Sequence, residues 1–280
     1  MQIGIVGQGY VGTAVKEVFS KHYKTNTFDL NGDCTCTDIE DLVDKSDIIF
    51  VCVPTPMKKD GSCDTSIVEN VVKDINETVN CNQDGKIVAI KSTIPPGTTN
   101  RLNKESKNIS VIFNPEFLTE ANFIEDFKNQ DRIIIGGPRP ATSIMKMIYS
   151  KAFPNAHIIK TGSITAEMVK YTTNTFLATK VSFANEIKMV CDKLNIDYDK
   201  VVEYAVHDER LGKSHWAVLG PDGKLGFGGS CFPKDLNALI KLSEDFGMYL
   251  TTLNGVWHTN LRVRPEEDWK KLKGRAVTEE

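Results

Sequence analysis

A glycine pattern near the N-terminus restricts the fold more than any other feature of the chain. Gly7-Gln8-Gly9-Tyr10-Val11-Gly12 follows the apolar run Gln2–Val6 and opens into a stretch, Val11 to Phe19, with helical spacing of apolar residues. Strand, glycine turn and helix in this order are the fingerprint of a dinucleotide-binding βαβ unit. Gly7 permits the tight turn, Gly9 lets backbone approach a pyrophosphate, and Gly12 lets helix and strand pack closely. Tyr10 and Val11 open the helix whose free N–H groups face the phosphate charge. Asp29 ends the next β-rich run, 17 residues after Gly12. A carboxylate there accepts hydrogen bonds from ribose hydroxyls and repels a 2′-phosphate. Leu30 and Asn31 follow it, not an arginine, so the pattern favours NAD over NADP. Without the flanking strand, helix and acid, the same glycines would be a structural turn.

The chain up to Gly162 alternates short β-branched runs with polar or helical stretches, as a parallel sheet requires. Candidate strands are Gln2–Val6, Thr25–Asp29, Asp47–Val53, Lys86–Lys91, Ile109–Phe113, Arg132–Ile135 and His157–Lys160. After Gly162 the texture changes. Ile164 to Leu194 holds no Gly or Pro and keeps helical spacing, a Gly/Pro-rich loop runs from Gly212 to Gly229, and a second apolar stripe runs from Leu236 to Leu261. Gly247 is placed to interrupt or bend that stripe, and the charged residues from Pro265 read as a surface helix or tail. The expectation is an α/β protein with a Rossmann-type, doubly wound parallel sheet domain over 1–162. An all-helical domain, 163–280, follows. The apolar stripe of its long helix is too extensive for one thin layer, which predicts a homodimer built on that helix. A ligand cleft is expected between the domains, at the carboxyl ends of the strands.

Composition excludes more than it selects. Lys and Arg number 34 against 37 Asp and Glu, giving net charge −3 with both signs scattered, so no basic run points to nucleic acid or an anionic membrane. No apolar run approaches the ~18 residues of a membrane span, and the first residues lack the pattern of a secretory leader. The seven cysteines include no CxxC pair and no metal-like cluster. That usage fits a reducing compartment, so a cytoplasmic, metal-free protein is expected.

One cysteine stands apart. In Gly226-Phe227-Gly228-Gly229-Ser230-Cys231-Phe232-Pro233-Lys234-Asp235, Pro233 followed by an apolar helical pattern marks a first helical turn. Cys231 then sits at or just before a helix N-terminus, where the dipole and Lys234 favour the thiolate, and the glycines admit a substrate to the sulfur. Asp235, four residues on, is placed to share its side. The bland alternative is a glycine loop around an inert cysteine, as most cysteines are. On the preceding helix Lys170, Asn174 and Asn185 share a face. They are either a solvated stripe or a functional row, and their apolar surroundings leave the two readings even.

These stretches together resemble the UDP-glucose/GDP-mannose dehydrogenase family. The matching segments are Val53-Pro54-Thr55-Pro56, Lys91-Ser92-Thr93-Ile94-Pro95-Pro96-Gly97-Thr98, Asn114-Pro115-Glu116-Phe117-Leu118-Thr119-Glu120, residues 167–186 and the Cys231 segment, in family order over nearly the whole chain. The resemblance implies NAD-dependent, four-electron oxidation of a nucleotide sugar through a cysteine thiohemiacetal and thioester. UDP-glucose to UDP-glucuronate is the expected case, though the motifs fix neither sugar nor base. It implies Cys231 as nucleophile, with Lys170, Asn174 and Asp235 positioning water and stabilising oxyanions. Glu116 is implied as base for hydrolysis and Thr93 as a holder of that water. Pro54, Thr55, Thr93 and Glu120 would line the nicotinamide side, and Lys234 would approach the cofactor. Phe117, Leu118, Asn185, Phe227 and Gly228 would contact the sugar nucleotide, and Arg210 would reach a neighbouring subunit's substrate site.

The chemistry agrees with those roles. Cysteine traps the aldehyde in an oxidisable form, a cation and an amide stabilise developing oxyanions, and a carboxylate can activate water. Against the family pattern, the Arg210–Cys231 loop is long, and the chain stops about where a third, nucleotide-covering domain is expected. Two rival readings stay open. One is a single-step hydroxyacid dehydrogenase of the 6-phosphogluconate type, and the other is a non-catalytic NAD-binding protein.

Overall fold

The computed structural model describes residues 1–79 and 85–279, which leaves Cys81 outside the described residues. The chain forms two compact units. One is Met1–Thr55 with Thr65–Lys170, the other Pro56–Asp64 with Tyr171–Glu280.

The first unit is a seven-stranded sheet: β1 (Gln2–Val6), β2 (Lys24–Phe28), β3 (Ile48–Val51), β4 (Lys86–Ile90), β5 (Ile109–Phe113), β6 (Arg132–Gly136) and β7 (His157–Thr161). The strand order is β2-β1-β3-β4-β5-β6-β7. Each candidate strand is present with ends shifted by no more than two residues. The expected fully parallel sheet needs one correction. β6 runs antiparallel to β5, joined through Phe113 and Gly136, whereas the other pairings are parallel. The connection between them carries only the short helix α5 (Phe123–Lys128). An apolar run such as Ile133-Ile134-Ile135 reads the same in either direction, so the sequence could not reveal the reversal.

Helices α1 (Tyr10–Phe19), α2 (Ile39–Asp44), α3 (Ser66–Thr78), α4 (Thr98–Glu105) and α6 (Ala141–Ala152) complete this unit. Two apolar layers form. One gathers Phe19, Phe50, Phe127, Tyr149 and Phe153, and the other gathers Val51, Val88, Ile90, Val111 and Phe113. β3 is buried along its whole length, as a strand covered on both faces must be.

Helix α7 (Ser163–Leu194) is 32 residues long. Its opening turns belong to the sheet unit because they pack there. Ala166 is wholly buried, its Cβ 2.4 Å from where a side chain on Gly136 would start. Glu167, also wholly buried, accepts hydrogen bonds from Gly97 N (2.6 Å), Thr99 N (2.9 Å) and Thr99 Oγ1 (2.6 Å). That carboxylate caps α4 and satisfies N–H groups that a helix start leaves open. The two units therefore divide inside α7, at Lys170, whereas the expected boundary lies at its first residue.

The second unit holds the remainder of α7, α8 (Tyr198–Ala205), α9 (Phe232–Asp245), α10 (Thr251–Val263) and 3-10 turns at Glu209–Leu211 and Asp268–Lys271. Of the two effects expected of Gly247, interruption is the one found: α9 stops at Asp245, Gly247 takes φ +72° and α10 starts at Thr251. The charged C-terminal segment is neither a surface helix nor a loose tail. Trp269 is wholly buried against Trp257, and the backbone of residue 57 bonds to Ala276 O and Thr278 N. Arg264, 2% exposed, ties this segment to the loop before α9 through Asp222 and Asp268. The buried Trp269, packed on the half-buried Trp257, decides what the charge-rich sequence concealed. Among the described residues no helix is long and apolar enough to cross a membrane.

Candidate active site

The glycine turn is built for close approach. Gly7 takes φ +90°, and a Cβ there would lie 2.8 Å from Cys52 O at the end of β3. A Cβ on Gly12 would lie 1.8 Å from Gly7 O, so only glycine lets α1 leave the turn this tightly. Gly9, the residue before α1, has open space where its side chain would be, leaving backbone free to meet a phosphate. Asp29, just past β2, accepts from Gln8 N at 2.5 Å and from Asn31 N at 2.9 Å. The acid and the glycine turn are thus one assembly, and it fits a dinucleotide. Tyr10 packs on Phe123, with ring centroids 5.0 Å apart, and Val11 packs against the first apolar layer.

Pro54, Thr55 and Thr93 follow the carboxyl ends of β3 and β4, beside that turn in the sheet order. Ser92 Oγ donates to Val53 O at 2.6 Å, which binds the two segments together. Thr55 and Thr93 are buried, whereas Pro54 and Glu120 are exposed.

Beyond β5 the chain reaches Glu116, which pairs with Lys170 of α7. The ammonium donates to Glu116 Oε1 (2.9 Å) and to Glu116 O (2.6 Å), and Leu118 N donates to Oε2 (2.6 Å). Both side chains are nearly buried, at 10% and 3% exposure. Burial pushes the Glu116 carboxyl up, but Lys170, the Leu118 amide and Lys91 together hold it below its ordinary value. Glu116 is therefore ionised at neutral pH and can receive a proton. Two cations approach the Phe117 ring, with Lys170 Nζ 5.3 Å and Arg132 4.3 Å from its centroid.

In the second unit Cys231 is the N-cap residue of α9, with Pro233 in the first turn, as the sequence predicts. The buried Asp235 accepts from Asn174 Nδ2 (2.6 Å) and from Lys234. Burial works against the Lys234 ammonium, but Asp235, Cys231 and Cys63 outweigh it and raise its pKa. A permanent cation thus stands where it favours a Cys231 thiolate.

The glycine loop is fastened from beneath. Asn260 Oδ1 accepts from Phe227 N (2.7 Å) while its Nδ2 donates to Phe227 O (3.0 Å). Asn185 Oδ1 accepts from Gly226 N at 3.3 Å. The Phe227 side chain joins a buried apolar cluster with Leu236, Ile240 and Val256, and both of its backbone polar groups are taken by Asn260, so it supports the loop from within. A Cβ on Gly228 would lie 2.4 Å from the Arg264 guanidinium. Arg210 is 88% exposed and ion-paired with Asp208 of its own turn. In the long loop, Trp216 packs edge-on to Phe183 and its indole N–H bonds Gly212 O, so it is a loop anchor.

Four contributors were not foreseen: Glu167, Lys91, Asn260 and Arg264. Glu167 and Lys91 lie inside the quoted motifs, where a charged residue amid apolar ones was an available signal. Asn260 and Arg264 gave none, because their partners lie far along the chain.

Comparison with known proteins places these features. The model of the UDP-glucose/GDP-mannose dehydrogenase family's NAD binding domain matches residues 16–153, and that of its central domain matches 164–262. UDP-glucose 6-dehydrogenase TuaD of Bacillus subtilis is 36% identical over 235 residues, 81% of this chain and 49% of its own. A solved UDP-glucose dehydrogenase from Pyrobaculum islandicum is 31% identical with TM-score 0.85, over 93% of this chain and 68% of its own. A GDP-mannose dehydrogenase structure from Pseudomonas aeruginosa is 27% identical with TM-score 0.70, over 98% of this chain and 71% of its own. The chain spans about half the length of the curated relatives it matches first.

Proposed function

The chain belongs to the UDP-glucose/GDP-mannose dehydrogenase family and carries its NAD-binding domain, and from that premise we propose that it oxidises the primary alcohol of a nucleotide sugar to the acid. UDP-glucose to UDP-glucuronate is the leading case, supported by the names of the relatives. The observation that carries the reading is Cys231 at the N-cap of α9, in one cluster with Lys234, Asp235 and Asn174.

Bound NAD supplies the two-electron acceptor at each of two oxidations. The Cys231 thiolate adds to the carbonyl carbon of the aldehyde left by the first, giving a thiohemiacetal. Its oxidation leaves a thioester. Glu116 takes a proton from water, whose oxygen adds to the thioester carbon, and the carbon–sulfur bond breaks to return the Cys231 thiolate and free the acid. Lys170 and Asn174 stabilise the oxyanions of these tetrahedral stages. Thr93 holds the water and Asp235 fixes the Asn174 amide. Phe117, Leu118, Asn185, Phe227 and Gly228 shape the substrate's place, and Pro54, Thr55, Glu120 and Lys234 shape the nicotinamide's.

The working form is a homodimer in the cytoplasm. Phe176, Phe183 and Val190, seven residues apart along α7, are 62%, 50% and 54% exposed, a stripe that a second copy would cover. Arg210 serves the partner's substrate. The test is stoichiometry: nucleotide sugar and NAD yield two NADH per acid, and Cys231→Ala yields no acid while still binding NAD. One NADH per substrate, insensitive to Cys231→Ala, would identify a single-step hydroxyacid dehydrogenase. NAD binding with no turnover on any nucleotide sugar would identify a binding protein.

A further inference from the structure

Lys91, at the carboxyl end of β4, is a second buried lysine that the reaction above does not use. Its side chain is 2% exposed. The ammonium has three hydrogens and three acceptors: Asn114 O (3.1 Å), Asn114 Oδ1 (3.1 Å) and the Tyr149 hydroxyl (3.4 Å). Tyr149 in turn donates to Asn114 Oδ1, and Asn114 Nδ2 donates to Ile134 O at 2.7 Å. Asn114 N donates to Ile90 O, the residue before Lys91, at 2.8 Å. Every polar group of Asn114 is therefore engaged, and its amide has one orientation.

Asn114 opens Asn114-Pro115-Glu116. Lys91 grips the carbonyl at the start of this turn, and Lys170 grips the carbonyl and carboxylate at its end. Proline removes the one backbone donor between them. An isolated lysine in an interior is expensive, and an apolar side chain of similar length would ordinarily serve packing as well or better. A retained interior ammonium therefore calls for an electrostatic use.

We propose that Lys91, with Asn114 and Tyr149, is a positioning residue that fixes the Asn114-Pro115-Glu116 turn and acts from within as a counter-charge to Glu116. This deepens the reading of Glu116 as the base for hydrolysis and rests on it for its functional meaning. Burial lowers the Lys91 pKa to about 8, the Glu116 charge opposes that fall, and Lys170 lowers it further. Glu116 is held down by Lys170 and, more weakly, by Lys91. The titratable groups facing this cluster are thus Cys52 on the β3 side, Lys170 on α7 and Tyr149 on α6. Burial holds the Cys52 thiol up at about 12 and the Tyr149 phenol above its usual range, so both stay neutral at pH 7. Lys170 holds the carboxylate directly, and Lys91 adds a second, weaker positive influence from behind the turn.

The experiment is a reciprocal titration by NMR that needs no substrate. Carboxyl ¹³C shifts of Glu116, assigned with Glu116→Gln, are followed in the unmodified protein and in Lys91→Met. The Glu116 midpoint is expected to rise by about 1 pH unit in Lys91→Met. The Lys91 ¹³Cε midpoint is expected to fall by the same amount in Glu116→Gln, because a pairwise coupling is felt equally by both partners. Should Lys91→Met fail to fold, the Glu116→Gln arm decides alone. A midpoint that stays within 0.3 unit (a small fraction of the expected unit shift) in either folded variant overturns the proposal. In turnover, Lys91→Met moves the acid limb of the kcat profile upward with KM for NAD unchanged, and an unmoved limb counts against it. Absence of NADH formation from every nucleotide sugar would sink the functional reading while leaving the NMR coupling to stand or fall by itself.

Discussion

Removing the Glu167 carboxylate tests how the sheet unit holds the segment after β4 to the start of α7. Glu167 is wholly buried and accepts three hydrogen bonds, from two backbone amides and one hydroxyl at the start of α4. Glu167→Ala leaves all three donors in the interior and opens a space in place of the carboxylate. Hydrogen bonds to a charged group contribute about 1.5–3 kcal/mol each, but such effects do not add when partners are shared. An expected loss of about 3–5 kcal/mol follows, a large part of the ~5–15 kcal/mol that stabilises a domain. With a urea slope of about 2–3 kcal/mol/M, the unfolding midpoint read by far-UV circular dichroism should fall by about 1–2 M. Glu167→Gln keeps the shape and one acceptor, so it should fall by about half as much. The consequence reaches function, because Gly97 closes the segment that carries Thr93 and Lys170 lies one turn beyond Glu167 on α7. The KM for NAD should rise in Glu167→Ala. A midpoint within about 0.2 M of the unmodified protein would refute the argument that this carboxylate holds the two segments.

Three other outcomes follow from particular contacts. Asp29→Ala should narrow the preference for NAD over NADP by about 10- to 100-fold, the worth of one charge-assisted hydrogen bond, read as the ratio of the two Kd values; an unchanged ratio would remove Asp29 from cofactor selection. Phe176→Glu with Phe183→Glu should convert a dimer to monomer in sedimentation velocity, since each exposed Phe covered by a partner is worth about 2 kcal/mol; a dimer that persists would place the interface elsewhere. The Arg264 guanidinium beside Asp268, opposed by burial and helped by Lys224, holds the Asp268 carboxyl well below its usual range. A depressed carboxyl contributes stability above its unfolded pKa of about 3.9 and loses it as pH falls through the lower folded value, so the contribution should fade below about pH 4. Asp268→Asn should cost about 2–3 kcal/mol at pH 7 in urea unfolding and flatten the acid limb below pH 4, and an equally steep acid limb in Asp268→Asn would contradict the assignment.

The sequence alone determined the parts whose signal is local. The seven strands lie where apolar, β-branched runs meet turn residues, because a strand buried on both faces has no other way to be written. The glycine turn announced itself because its own constraints are local: Gly7 takes a positive φ, and a Cβ on Gly12 would strike Gly7 O five residues back. Pro233 placed Cys231 at the start of α9 for the same reason. Tertiary structure decided whatever depends on partners distant in the chain. β6 reverses against β5, and no residue within either strand encodes direction. Trp269 is buried within a segment whose charge suggested water, because Trp257 packs on it while the backbone of residue 57 holds Ala276 and Thr278, partners no local window contains. Lys91 is one charged letter at the end of an apolar run, and only Asn114 and Tyr149, 23 and 58 residues away, turn it from an interior liability into a paired cation. A periodic pattern reports where a side chain points, whereas the energy of a buried charge is set by what meets it there.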